Sequence, residues 1–169
     1  MELLKLSTEW AKAEVFSTRF FIVFAILFII ASIGFWQLGK TELAKAYIIP
    51  MLIAGLLLLT IGLGLFYTNK SRITQFEKEF TADASTFYQS EIERSESTLK
   101  EYTIVFKVIP ILIIISALVI LFINTPTWRA ISITAIAMFI VILVVDGTAH
   151  SRIEAYHKEL KLLNEPGGD

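Results

Sequence analysis

At 169 residues the chain has the size of one domain, but 55% hydrophobic content against 18% charge, with a mean hydropathy of +0.67, lies outside the soluble globular range. The net charge of -1 gives no global attraction to nucleic acid or anionic surfaces, and no basic stripe supplies a local one. With no cysteine, a disulfide framework, a thiolate metal site and a cysteine nucleophile are all excluded.

The chain opens on a mixed-charge lead in which Ser7, followed by Thr8, Glu9 and Trp10, reads as a helix N-cap, with Trp10, Ala13 and Ser17 running on toward the membrane. Crossing a hydrocarbon core of about 30 Å takes about 20 apolar residues in a helix. The stretch 20–39 meets that length without a charge. It offers no small-residue cleavage site, so it reads as a retained span rather than a signal peptide. A second span follows at about 46–69 and continues as an amphipathic helix carrying Ile73, Phe76 and Phe80 on one stripe. Small polar residues between Thr81 and Ser85 predict a turn, and a helix from about Thr86 bears Tyr88, Ile92 and Leu99 into a third span at about 103–124. The fourth span, about 129–147, has a short uncharged centre, so Arg129 or Asp146 must lie at a membrane edge. A tail helix with Ile153, Tyr156 and Leu160 on one stripe completes the chain.

Basic residues set the expected orientation. Lys5, Lys12 and Arg19 in the lead, Lys70, Arg72, Lys78, Arg94 and Lys100 in the centre, and Arg152, Lys158 and Lys161 in the tail face only Lys40, Lys45 and Arg129 on the other side. With an even number of spans, both termini are expected in the cytoplasm. Trp36 and Trp128 fit an aromatic belt at the far edge, and a bacterial inner membrane is the expected location.

The segment SRITQFEKEF from Ser71 matches SRIEAYHKEL from Ser151 at five of ten positions, each directly after a span. Two unrelated amphipathic helices would share a stripe and a basic residue by chance, but the alignment favours duplication. The predicted fold is therefore all-α, with four transmembrane helices as two tandem parallel two-span repeats, 1–80 and 81–169. The helices extend beyond the membrane into a cytoplasmic helical stalk, where stripes of Phe and Tyr must pack on each other or on another subunit.

Three groups of residues invite a chemical reading. Lys107 and Asp146 lie about one turn inside the cytoplasmic edge and are expected to form an intramembrane ion pair, structural rather than catalytic. Pro110, one turn on from Lys107, frees a backbone carbonyl there. His150, Glu154 and His157 share one face of the tail helix, and Glu154 with His157 has the Glu-x-x-His spacing of carboxylate-bridged metal bundles. The first repeat has Thr74 and Glu77 at the corresponding places, so a metal is the minor reading and no cofactor is expected. Gly55 and Gly62 on the second span, and Ala130, Thr134 and Ala137 on the fourth, are small-residue faces for close helix packing in lipid, within the chain more than between copies.

A transporter places polar groups at the midplane, which here holds only Ser32, Thr60, Ser116 and Thr134, each able to satisfy itself on its own helix. No Gly-rich phosphate loop, selectivity-filter motif or Ser, His, Asp constellation is legible. The expected role is a non-catalytic scaffold or accessory subunit, working as a homo-oligomer or with a membrane partner through its cytoplasmic helices. An oligomeric channel stands second, and a metal-dependent membrane enzyme a distant third.

Overall fold

The computed structural model describes residues 1–163, so 164–169, the end of the second expected repeat, lie outside the described residues. The helices in chain order are α1 (Glu2–Leu38), α2 (Glu42–Ala46), α3 (Ile48–Ala82), α4 (Ala84–Phe122) and α5 (Pro126–Leu162). Four are long and apolar enough to cross a membrane, with α2 leading into the second of them.

The breaks follow from local chemistry. Gly39 closes α1 with its N–H on the Phe35 carbonyl, and Thr41 caps α2 by accepting the Ala44 N–H at 3.1 Å. The expected turn at Thr81–Ser85 contracts to one residue. Asp83, extended at φ -160°, ends α3, and its carboxylate accepts from the Ser85 N–H at 2.9 Å and the Thr86 hydroxyl at 2.5 Å. These bonds hold the exposed Asp83 carboxyl below its ordinary pKa. Pro126 opens α5, where its missing N–H costs nothing, and Pro50 lies in the first turn of α3. Pro110 lies inside α4, which runs through it as one helix.

Ser7 does not cap a helix, because α1 already begins at Glu2. Its hydroxyl instead donates to the Leu3 carbonyl and sits 2.8 Å from the Tyr156 hydroxyl, which makes it a buried polar contact between the first and last long helices.

α1 packs chiefly along α3, α4 packs along α5, and α5 also lies against α1. Although joined in sequence by Asp83, α3 and α4 touch little. The α1–α3 contact is close because of two glycines. A Cβ at Gly55 would lie 2.7 Å from Ile29 Cγ1 and 3.0 Å from the Ala25 carbonyl, and one at Gly62 would lie 2.9 Å from Ile22 Cγ1. Ala130 and Thr134 on α5 are buried, and Ala137 packs against the same apolar cluster.

There are two cores. One, around Phe21, Phe28, Leu58 and Val141, lies at the level of the apolar helix windows. The other gathers Trp10, Phe76, Phe87, Ile153, Tyr156 and Leu160 at the end that carries the first residues of α1 and the last of α5. The aromatic stripes read from the sequence are thus turned inward on one another.

Candidate functional site

The second core is organised by a polar chain through its centre. Tyr156, 3% exposed, donates its phenolic hydrogen to Glu91 Oε2 at 2.5 Å and meets Ser7 on its other side. Glu91 is also buried and is paired with Arg94 one turn along α4, whose Nε donates to Oε1 at 2.8 Å. The Arg94 guanidinium lies 4.3 Å from the Trp10 ring centre, and Trp10 stacks on Tyr156 at 5.2 Å. Burial, reinforced by the Glu91 carboxylate, pushes the Tyr156 phenol well above its usual pKa, so it acts as a fixed donor. Below it, Arg152 Nε donates to Glu14 Oε1 at 3.0 Å, tying α5 to α1. Burial raises the Glu14 pKa, with Arg152 working against the shift.

Next to this network is a cavity of about 420 Å³ lined by all four long helices. Its polar end holds Glu14, Asn69, Arg72, Glu101 and Asp146, with Trp10 in the wall; its apolar end holds Phe21, Ile61, Leu65, Ile109 and Ile142. Arg72 Nη1 donates to Asn69 Oδ1 at 3.1 Å, and burial holds the guanidinium below its usual pKa. Among the described residues, Arg72 and Asp146 border one cavity without a salt bridge to each other or to any other group. Such a chamber offers charges of both signs next to an apolar floor.

The expected Lys107 to Asp146 ion pair does not form. Lys107 is exposed on α4, on a different side from the cavity that Asp146 lines. Equal depth along two helices places two residues at one level, but rotation about each helix axis decides whether they meet.

The expected metal face is likewise not assembled, and among the described residues no group of three His, Asp or Glu side chains could hold a metal. His150 meets the rings of Tyr102 and Phe106 edge-on, at 5.6 and 5.4 Å, while Glu154 is exposed. His157 turns to α4, where its Nδ1 is 2.7 Å from Ser95 Oγ and its Nε2 is 3.8 Å from Glu96 Oε1.

This last group has the residue types of a nucleophilic triad, which sequence spacing does not reveal because α4 supplies two members and α5 the third. Its geometry argues against that chemistry. Ser95 is fully buried, and its hydroxyl already donates to the Ile92 carbonyl at 2.8 Å. It therefore accepts the His157 Nδ1 hydrogen and clamps α4 to α5.

A second cavity, of about 550 Å³, is almost wholly apolar and lies between α3 and α5; Thr134 lines it, and its buried hydroxyl has no partner. The other midplane hydroxyls are bonded. Thr60 and Ser116 donate to their own helices at 2.9 and 2.8 Å, whereas Ser32 crosses to the Ile48 carbonyl of α3 at 2.7 Å.

No known protein family, curated protein or solved structure matches this chain.

Proposed function

We propose that the chain is a non-catalytic, multi-pass membrane subunit that assembles with further copies of itself through α4. In this reading both termini are cytoplasmic, the helix ends beyond the spans form a cytoplasmic stalk, and the chain is built from two tandem parallel repeats. Two observations favour the repeat: the tight pairs are α1 with α3 and α4 with α5, and the matched residues Ile73, Phe76 and Phe80 meet Ile153, Tyr156 and Leu160 in one core.

The observation that carries the assembly reading is the bareness of α4. The most apolar window of α4 is 6% buried within the chain, against 22% for each of the other three membrane-length helices. Ile111, Ile114, Ile115 and Leu118 all face outward there. Lipid can cover such a face, but helices in lipid gain from close packing on one another, and α4 gains least of that inside its own chain. The inward turn of the aromatic stripes moves the assembly contact away from the tail helix and onto this span.

Light scattering of the purified protein in detergent tests the reading. A defined multimer supports it. A monomer over the whole concentration range contradicts it.

A further inference from the structure

We infer that the mixed-charge cavity among the four long helices binds a zwitterionic amphiphile, a phospholipid whose head group carries a phosphate and a primary ammonium.

The charges are the starting point. Arg72 on α3 and Asp146 on α5 border one chamber without forming an ion pair, and Glu101 on α4 lies in the same wall. Both are half-buried, and Arg72 has only the neutral Asn69 oxygen as a partner, so two charges of opposite sign at one cavity are best met by a molecule that carries both signs. A phosphate supplies acceptor oxygens for Arg72. An ammonium supplies hydrogens for Asp146 and Glu101.

The rest of the molecule follows from the floor. Phe21, Ile61, Leu65, Ile109 and Ile142 continue the chamber into the span, so a ligand that satisfies the polar end also presents an apolar tail. Lipid has just this order, with the head at the interface and the chains inward. The volume of about 420 Å³ lies within the range of small-molecule sites, room for a head group and the first part of its chains. A primary ammonium is preferred over a quaternary one because the neighbouring rings are occupied: Trp10 by Tyr156 and Arg94, Tyr102 by Phe106 and His150. No aromatic cage is left for a trimethylammonium group.

The test is native mass spectrometry of the full chain titrated with dioleoyl lipids carrying ethanolamine, choline or glycerol head groups. The ethanolamine lipid is expected to bind about tenfold more tightly than either of the others, the size of one charged hydrogen bond. Arg72→Gln and Asp146→Asn should each remove that preference, whereas Lys107→Gln, outside the cavity, should keep it. Equal binding of the three lipids overturns the proposal, as does a preference that survives both cavity variants. Tighter binding of the glycerol lipid overturns it in favour of a simple anion site. Free O-phosphoethanolamine competing at the same concentration as the lipid would show that the apolar floor takes no part, and that too overturns it. Where a cavity variant fails to fold, the head-group series on the unmodified chain still decides.

Discussion

Tyr156 and Glu91, 65 residues apart, share a 2.5 Å hydrogen bond in the interior of the bundle, and through it α5 is fixed against α4. Glu91 is 3% exposed and takes a second partner in Arg94. Tyr156→Phe removes one charge-assisted hydrogen bond and is expected to cost about 1.5–3 kcal/mol. Glu91→Ala leaves the half-buried Arg94 without its anion and is expected to cost more, about 3–5 kcal/mol. Thermal unfolding in detergent checks the order. A Tyr156→Phe protein less stable than Glu91→Ala would mean that the phenolic hydroxyl, through Ser7 as well as Glu91, matters more to this core than the Glu91–Arg94 pair.

The α1–α3 contact makes a sharper comparison, because two glycines only two positions apart on α3 behave differently. A Cβ at Gly62 meets Ile22 and Phe21 at 2.9 and 3.0 Å, whereas one at Gly64 meets nothing within 4 Å. Gly62→Ala is expected to destabilise by about 1–3 kcal/mol through overpacking. Gly64→Ala should leave the melting temperature unchanged or raise it, since alanine is the better helix former. Equal effects at the two positions would remove the close approach from the account.

Lys107, exposed and without a salt bridge among the described residues, should tolerate replacement. Lys107→Gln is expected to change stability by no more than about 0.5 kcal/mol. A loss of several kcal/mol on thermal unfolding would restore a buried role for this lysine.

Glu14 gives a pH dependence of definite sign. Its folded-state pKa is raised above the reference value of 4.5, mainly by burial, so the folded protein holds this proton where the unfolded chain has released it. Its contribution to stability is therefore fully present below 4.5 and is lost as pH rises through the folded value. Melting temperatures of the unmodified chain and of Glu14→Gln across that window should show the advantage of the unmodified chain shrinking as pH rises. A widening advantage would mean that attraction to Arg152 outweighs burial.

Hydropathy and helix length made the four membrane-length helices legible, because an uncharged run of spanning length has few alternatives. The helical stripes were equally plain: Ile73, Phe76, Phe80, Ile153, Tyr156 and Leu160 all reach one core. The cavity was not legible. Its walls come from four helices, and whether Asp146 faces Lys107 or Arg72 depends on the rotation of α4 and α5, which periodicity within one helix does not report. His157 misled for a related reason. Spacing along α5 groups it with His150 and Glu154, but Ser95 on α4 sits 2.7 Å from its ring nitrogen.

Self-assembly through α4 is directly measurable, because the chain contains no cysteine. Single cysteines are placed at Ile111, Ile115 and Leu118 on α4 and at Ile30 on α1 and Leu56 on α3, all outward-facing, and the membranes are oxidised before solubilisation. Disulfide-linked dimers are expected from the α4 positions and little from the other two. Equal crosslinking at all five, or none at α4, would contradict it.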